Sequence, residues 1–414
     1  MRILVISNLY PPCCIGGYEM RCRDVVEGLR AKGHQVRVLT SIYGTDATTV
    51  EEVHVERCLP HLWSGFGPLA GFWQQLQCEL HSAYALKRAL HEFKPQLISV
   101  WNMYLLSGAL LTLVERASRP VVFHLDDDWM LKEDPWSQAW ARHNSLLQRV
   151  VKSAVRPWVD HRIASVAASI VSSQCVFVSA FRKHQYEEAG WAVSASPVFY
   201  GGIPEAFLGR RFETLEPVQP PRRLLFAGVI TPAKSPHLAI EALARLRRVG
   251  YADLTLSIVG PDHHDREYVQ HLKTLVRSEG LQASVHFQGP APREAMPEVY
   301  RAHDIFLFTS NAPEGFPLTI LEAMAGGLPL IASLSGGQGE ILRNGINSLT
   351  YQPNDISTLT ENIKSLVDRP LLARELAEAG HNMVKQEFTS TPMVARHEAL
   401  FQAAIEMART SSPT

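Results

Sequence analysis

Two glutamates, Glu314 and Glu322, lie on either side of a short segment that combines glycine, proline and the start of an apolar helix. Pro317 suits the first position of a helix, and the pair Gly326-Gly327 suits its end. A helix start has free N–H groups and a partial positive charge, so it can bind a phosphate or diphosphate. Because carboxylates accept hydrogen bonds from hydroxyls, this spacing is typical of a site for an anion with hydroxyls on both sides, such as a nucleotide sugar.

Buried strands must position these glutamates. The apolar runs at 304–310 and 328–333 are typical of parallel strands, one on each side of the segment. Glu322 lies one helical turn past Leu318 and on the same face. The alternative is two solvated charges on an ordinary strand-loop-helix unit, and the placing of the glycine, the proline and the strand favours the site.

The pattern of Glu314, seven intervening residues and then Glu322-Ala-Met-Ala-x-Gly-x-Pro resembles the signature of retaining family-4 glycosyltransferases. The similarity covers nearly the whole chain. It implies an α/β fold of two Rossmann-like, doubly wound domains facing each other across a cleft (the GT-B architecture). It also implies that Glu314 contacts the donor sugar, that Glu322 binds the nucleotide ribose and that the intervening amides hold the diphosphate. The donor-binding residues implied in this segment are Glu314, Gly315, Phe316, Pro317, Leu318 and Glu322.

Length and composition fit two globular domains in one chain. The 414 residues are 46% hydrophobic and 20% charged, which is ordinary for a soluble protein. The net charge of −1 gives no general electrostatic case for binding nucleic acid. No apolar run approaches the ~20 residues of a membrane span, and the start of the chain is too strand-like for a signal peptide. We expect a cytoplasmic protein with reduced thiols, since its six cysteines show no metal-ligand spacing.

The chain order predicts where the domains begin and end. We expect a first, acceptor-side domain over 1–203, a linker over 204–223 and a second, donor-binding domain over 224–388. The family resemblance implies that 389–414 forms a terminal helix that packs back on the first domain. The opening strand-loop-helix-strand is a Rossmann half without the full G-x-G-x-x-G spacing, so it does not argue for NAD. Its Gly16-Gly17 pair resembles the family's amino-terminal glycine loop, and Gly17 is expected to approach the donor.

A cation in the second domain is expected to balance the diphosphate. In the family, an arginine and a lysine follow the strand at 224–228; here Lys234 is present, Val229 occupies the arginine position and Ser235 replaces a glycine. Lys234 should therefore stabilise the charge of the leaving group, an electrostatic role. The other donor-binding positions implied at strand ends are Gly228, Val229, Gly260 and Pro290, the last in a loop that would meet the base.

An acidic triplet, Asp126 to Asp128, follows a buried strand of the first domain. It resembles the metal-binding Asp-x-Asp of a single-domain glycosyltransferase architecture, but the two-domain layout generally needs no such metal. The family usually has His-Asp here, and alignment on Trp129 puts Asp126 at the histidine position. His124 points to the same side of the strand as Asp126, so either could serve at the reacting centre. The alternative is that these acids only cap the next helix.

No metal or cofactor is expected besides the donor. His263 and His264, with Asp262 and Asp265, could suggest a metal, but they crowd one loop, and a polar loop near the nucleotide is the favoured interpretation.

Two segments of the first domain are candidates for contacts with an acceptor. Residues 46–75 contain His54, His61, Trp63, Phe66 and Trp73, which could line an acceptor pocket but more often cover the edge of a core. Residues 142–183 contain seven Lys or Arg residues and one acid, with tryptophans interleaved. They could meet an anionic acceptor or a membrane surface, or form a solvated helix face.

The leading function is transfer of a sugar from a nucleotide diphosphate sugar to an acceptor hydroxyl with retained configuration. No residue is placed as a covalent nucleophile, so we expect same-face attack in which the departing phosphate helps to take the acceptor proton. Two alternatives stay open: a sugar phosphorylase of the same family, and a non-catalytic nucleotide-sugar-binding protein, which Val229 and Asp126 make plausible. The sequence does not reveal the base, the sugar or whether the acceptor is a sugar, a lipid-linked molecule or another small molecule.

Overall fold

The computed structural model describes residues 1–45, 52–62, 71–132, 135–159, 174–209 and 219–410. The chain divides into two compact units. Unit 1 comprises Met1–Tyr200 together with Met393–Thr414, and unit 2 comprises Gly201–Pro392. Each unit is built around one parallel β-sheet with helices against it, which confirms the predicted class of two Rossmann-like domains.

Unit 1 contains a six-stranded sheet in the order β3-β2-β1-β4-β5-β6. Every neighbouring pair of strands is parallel, and the central strands are apolar and buried, as a sheet covered on both faces requires. The strands are β1 (Arg2–Ser7), β2 (Gln35–Ser41), β3 (Val55–Leu59), β4 (Leu97–Val100), β5 (Val121–Leu125) and β6 (Gln174–Phe177).

Unit 2 contains a second six-stranded parallel sheet in the order β12-β11-β10-β7-β8-β9. Its strands are β7 (Arg223–Ala227), β8 (Thr255–Val259), β9 (Val285–Gly289), β10 (Ile305–Phe308), β11 (Leu330–Ser333) and β12 (Leu349–Tyr351).

Helices connect the strands in both units, and no helix in the described ranges is long and apolar enough to cross a membrane. In chain order, the helices with described bounds are α1 (Gly17–Ala31), α2 (Phe72–Phe93), α3 (Ala109–Glu115), α4 (Pro135–Arg142), α5 (Leu146–Val155), α6 (Ala180–Glu188), α7 (Pro236–Arg248), α8 (Arg266–Ser278), α9 (Met296–Arg301), α10 (Leu318–Ala325), α11 (Ile356–Asp368), α12 (Pro370–Glu387) and α13 (Ser390–Thr410).

The strand order of each sheet reverses direction once. In unit 2 the chain runs outward from β7 through β8 to β9 and then returns to β10, which lies beside β7 and leads to β11 and β12. The loops after β7 and β10 therefore diverge from one point at the carboxyl edge of the sheet. Open α/β sheets bind ligands at such a switch point. The corresponding point in unit 1 lies between β1 and β4.

Helix α13 completes the core of unit 1. Its side chains Met393, Val394 and Phe401 are buried in the same cluster as the apolar residues of β1 and α1. The approach to α1 is close, because a Cβ atom on Gly28 would come within 2.4 Å of Val394. Glycine at this position thus permits the two helices to pack side by side.

Several elements differ from those that the sequence predicts. Residues 46–75 show no regular apolar pattern and predict an irregular segment, but they contain the edge strand β3, whose side chains are mostly half-buried. The sequence predicts a helix over 104–117, but in the structure only α3 is helical there, and Leu105 before it has a left-handed backbone (φ 66°). The glycine-rich segment 335–339 predicts the start of a phosphate-side helix after β11, but the structure has only a 3₁₀ turn there, Gly337–Glu340. Trp63 and Phe66 lie outside the described residues.

Candidate functional site

Two loops meet at the switch point of unit 2. After β7 the chain forms a 3₁₀ turn, Pro232–Lys234. The carbonyl oxygen of Ala233 accepts hydrogen bonds from the backbone N–H of Asn311 (3.0 Å) and from the Ser310 hydroxyl (3.1 Å). The Thr309 hydroxyl donates to the carbonyl of Lys234 at 2.9 Å. These bonds fix the Lys234 backbone against the loop that carries Glu314.

Lys234 and Glu314 form an ion pair at this point. The distance from Lys234 Nζ to Glu314 Oε2 is 2.5 Å, and the two side chains are 33% and 16% exposed. The other carboxylate oxygen of Glu314, Oε1, is buried and has no hydrogen-bond partner. The structure thus brings together the cation expected at the diphosphate and the acid expected at the donor sugar.

Two glycines after β11, Gly336 and Gly337, pack against the backbone of Glu314. The backbone N–H of Gly337 donates to the carbonyl of Glu314 at 2.9 Å. A Cβ atom on Gly336 would lie 2.3 Å from that carbonyl oxygen, so only glycine allows this approach. The sequence interpretation of these glycines as the start of a phosphate-side helix did not anticipate that they position Glu314.

Glu322 is buried on α10, and Pro317 lies at the N-cap position of that helix. The hydroxyl of Tyr300 on α9 donates to Glu322 Oε2 at 2.9 Å. Burial, together with the neighbouring carboxylate, raises the pKa of Tyr300 well above its ordinary value, so the hydroxyl stays a donor. Tyr300 therefore orients Glu322. Sequence analysis did not identify Tyr300, because it lies on a separate, short helix.

Glycines end three neighbouring strands of unit 2 and pack closely. A Cβ atom on Gly260 would lie 1.9 Å from the carbonyl oxygen of Gly228, and both residues have positive φ (149° and 156°). Glycine is therefore required at Gly260 by the packing of adjacent strand ends. Val229 is half-buried beside this contact, and Pro290 is exposed beyond the edge strand β9. Donor contacts of these four residues stay predictions.

Ser235 stands where the family pattern has a glycine, and its backbone explains the family preference. Its φ of 51° and ψ of 45° are left-handed, a conformation that favours glycine. The Ser235 hydroxyl, fully buried, donates to the carbonyl of Pro232 at 2.8 Å. This local bond offsets part of the strain and closes the turn that carries Lys234.

In unit 1, Asp126 forms a buried ion pair with Arg21 of α1. Arg21 Nη1 lies 2.5 and 2.6 Å from the two carboxylate oxygens, and Nη2 donates to the carbonyl of Phe199 at 2.7 Å. Burial raises the pKa of Asp126, while the guanidinium acts to lower it. Sequence analysis missed Arg21 because it reads as one charge on an amphipathic helix.

His124 is fully buried next to helix α13. Its ring stacks on Trp101 (centroids 4.0 Å apart) and on His397 (5.3 Å), and Nε2 lies 3.0 Å from the hydroxyl of Ser99. Burial lowers the pKa of His124 well below its ordinary value, so the imidazole is neutral. A role of His124 or Asp126 at the reacting centre gains no support from this geometry and stays a prediction.

Among the candidate site residues of unit 1, Asp127 is half-buried and Gly17 is exposed, whereas Asp126 and His124 are buried. Asp127 accepts hydrogen bonds from Asn102 Nδ2 and from the backbone N–H of Trp129, both at 3.1 Å, and burial raises its pKa to about 7. Asn102 follows β4, so this acid lies near the switch point of unit 1. Gly17 is exposed at the start of α1, and a Cβ atom on the preceding Gly16 would meet nothing within 4 Å.

Two groups of side chains bear on the question of metals. Asp265 accepts the backbone N–H of Tyr268 at 2.9 Å and caps α8, which supports the polar-loop interpretation of 262–265. In the part of the chain that the structure describes, one cluster has the geometry for a metal ion: Glu27, Glu52 and His54. None of these three was expected in the donor site.

Two family models match this chain. Residues 16–193 match the model described as a glycosyl transferase 4-like domain, and residues 211–383 match the model described as glycosyl transferases group 1. The two matches fall on unit 1 and unit 2, respectively, and together cover most of the chain.

Curated relatives cover the chain to different extents. The chain is 25% identical to a glycogen synthase of Mycobacterium tuberculosis (strain CDC 1551 / Oshkosh) over 429 residues, which cover 100% of this chain and 97% of that protein. It is 35% identical to a D-inositol 3-phosphate glycosyltransferase of Rhodococcus erythropolis over 154 residues, or 37% of this chain and 35% of that protein.

Solved structures with the same fold extend over nearly the whole chain. The Anabaena protein HepE, crystallised in complex with UDP and glucose, superposes with a TM-score of 0.70 at 22% identity and covers 97% of this chain and 100% of its own. Sucrose-phosphate synthase from Thermosynechococcus elongatus gives a TM-score of 0.73 at 19% identity, covering 98% and 99%. At these identities, the likeness shows the fold.

Proposed function

Because the chain belongs to the GT-B glycosyltransferases, with 4-like and group 1 domains, we propose that it transfers a sugar from a nucleotide diphosphate sugar to an acceptor hydroxyl with retained anomeric configuration. The observation that carries this proposal is the Lys234–Glu314 pair at the switch point of unit 2, with one buried acid oxygen left unpartnered. A diphosphate would take the ammonium of Lys234. A hydroxyl of the donor sugar would donate to Glu314.

The transfer needs charge stabilisation more than a nucleophile. As the bond between the sugar and the diphosphate breaks, the leaving oxygen gains negative charge, which Lys234 and the free N–H groups at the start of α10 stabilise. The acceptor hydroxyl attacks from the same face, and its proton passes to the departing phosphate. Glu322, oriented by Tyr300, binds the ribose. Asp126 or His124 assists at the reacting centre only if its buried surroundings rearrange.

Similarity to known proteins supports a nucleotide-sugar donor. HepE of the same fold was crystallised with UDP and with UDP-glucose, and the curated relatives include a glycogen synthase. The expected acceptor is a sugar, a lipid-linked molecule or another small molecule. No metal is expected to take part, so turnover should persist in EDTA. The expectation of a cytoplasmic location stays a prediction.

Two other functions are compatible with the same site. A sugar phosphorylase would use inorganic phosphate where the transferase uses a nucleotide, and its activity would depend on added phosphate. A non-catalytic binding protein would hold the nucleotide sugar without product. Val229 favours this second candidate, since it leaves Lys234 as the one cation of the family pair on that loop.

The test has two stages. A thermal-shift screen of nucleotide sugars identifies the donor, and product formation from it, with NMR assignment of the new anomeric centre, establishes transfer with retention. Lys234→Met should reduce turnover about a hundredfold or more if Lys234 acts like an oxyanion donor. The matched control is Lys385→Met, an exposed lysine on α12 of the same unit. Equal turnover in both variants would contradict the proposed contact between the diphosphate and Lys234.

A further inference from the structure

Helix α5 of unit 1 presents apolar side chains to solvent. Leu146, Leu147 and Val150 are 80%, 63% and 67% exposed. Val151 and Val155, on the opposite face, pack on the small cluster formed around Trp140. The helix therefore has an inner apolar face that unit 1 covers and an outer apolar face that no described residue covers. Exposed apolar patches of this kind mark interaction sites.

The same segment concentrates positive charge. Between residues 135 and 159 there are four cations and no Asp or Glu, although the whole chain carries a net charge of only −1. The Lys152 ammonium is used internally, where it donates to the carbonyls of Trp140 and His143. The side chains of Arg149 and Arg156 form no hydrogen bond or ion pair with any described residue. They remain available to an external anion.

Aromatic residues extend this surface. Trp158, just beyond α5, is 44% exposed, and the ammonium of Lys87 on α2 lies 5.3 Å from its ring centre. Tyr84, one turn before Lys87 on α2, is 63% exposed. Tryptophan and tyrosine next to lysine and arginine are the side chains that lie at the boundary between lipid and water.

We propose that the outer face of α5, with Trp158, Arg149 and Arg156, is a docking surface for an anionic lipid bilayer. The apolar side chains enter the boundary of the acyl chains while the arginines contact lipid phosphates, as in helices that lie in the plane of a membrane. Charge decides between this partner and a second copy of the chain, because two copies meeting through the outer face of α5 would bring Arg149 and Arg156 of one copy against the same two arginines of the other, with no acid on this segment to offset them. The surface binds with no nucleotide sugar present, so it is independent of the proposed transferase activity.

The test is flotation of the full chain with vesicles of phosphatidylcholine alone or mixed with phosphatidylglycerol. The chain is expected to float with the mixed vesicles only, and less so at high salt. The variant Leu146→Ser/Leu147→Ser/Val150→Ser should lower the bound-to-free ratio about tenfold or more, because it removes the apolar area that enters the bilayer. The matched control is Val249→Ser/Ile346→Ser/Leu371→Ser, whose side chains in unit 2 are 68%, 66% and 65% exposed; it should float like the unmodified chain.

Charge and self-association are tested separately. Arg149→Gln/Arg156→Gln should weaken binding to phosphatidylglycerol vesicles while leaving the thermal midpoint unchanged, and it keeps the test informative if the apolar variant misfolds. Absence of flotation with phosphatidylglycerol, or equal flotation of the α5 variant and its control, would overturn the proposal. A dimer in sedimentation that the α5 variant abolishes would also overturn it, since the surface would then join two copies of the chain.

Discussion

Replacing Glu314 with glutamine should tighten the binding of a free nucleoside diphosphate. In the structure, the Glu314 carboxylate holds the Lys234 ammonium at 2.5 Å. A diphosphate that takes Lys234 must compete with this carboxylate and then lie beside its negative charge. Glutamine keeps the size and hydrogen-bonding capacity of the side chain but removes both obstacles. Turnover of the sugar donor should fall in the same variant, because the strong acceptor for the sugar hydroxyl is lost.

The size of the effect follows from Coulomb's law and from exposure. Like charges about 6 Å apart repel by roughly 3 kcal/mol at an effective dielectric constant near ~20. Lys234 is 33% exposed, so solvent screens the interaction. After that discount we expect a gain of about 1–2 kcal/mol, or roughly a five- to thirtyfold lower Kd.

Isothermal titration with the nucleoside diphosphate that gives the largest thermal shift measures this gain. In a Lys234→Met background the benefit of Glu314→Gln should shrink by the interaction energy between the two residues, as a double-mutant cycle reports. Glu361→Gln, which removes an exposed carboxylate on α11, is the control for net charge. An unchanged or higher Kd for Glu314→Gln would refute the exchange of partners at Lys234.

Three further outcomes follow from the described contacts. Glu322→Ala should weaken binding of the same nucleotide by about ten- to a hundredfold, since a charged hydrogen bond is worth ~1.5–3 kcal/mol. An unchanged Kd would contradict the proposed contact between Glu322 and the ribose. Ser235→Ala should lower the thermal midpoint, because it loses the hydrogen bond to Pro232 and keeps the strained left-handed backbone. Ser235→Gly also loses that bond but removes the backbone strain of about 1–2 kcal/mol, so its midpoint should not fall. Equal midpoints for the two variants would contradict this. Burial lowers the pKa of His397 from 6.5 to about 3 in the folded protein. Below pH 6.5 the unfolded chain therefore binds a proton that the folded chain does not, and the free energy of unfolding falls by about 1.4 kcal/mol per pH unit down to about pH 3. His397→Phe should reduce the fall in midpoint between pH 7.5 and 5.5, and an identical fall would show that acid acts elsewhere.

The sheet framework was predictable because buried parallel strands are short, apolar and uninterrupted. The sequence predicts strands over 2–7, 121–125 and 285–289, and β1, β5 and β9 have these bounds. The edge strands β3 and β12 were not predicted, because one is only half-buried and the other is three residues long. Apolar periodicity reports burial, so strands without full burial escape it.

The candidate site was predictable as a set of positions but not as a set of contacts. Spacing placed Glu314 and Lys234 on loops after separate strands, and the adjacency of β7 and β10 brings them together. Nothing in the sequence indicated that they pair with each other, since a charge pattern does not record distance in the fold. The partners Tyr300 and Arg21 were missed for the same reason. The predicted family is confirmed, whereas the donor contacts themselves stay predictions.

The return of α13 to the core of unit 1 has a consequence during synthesis of the chain. Unit 2 is continuous in sequence, whereas unit 1 needs Met393, Val394 and Phe401, which are made after all of unit 2. At about 5–20 residues per second, the roughly 190 residues of unit 2 take on the order of 10–40 s to make. Throughout that interval, the apolar patch that α1 and β1 offer to α13 stays uncovered. Unit 1 thus begins synthesis first and completes its fold last. Meanwhile the nascent chain exposes an apolar surface of the kind that chaperones bind.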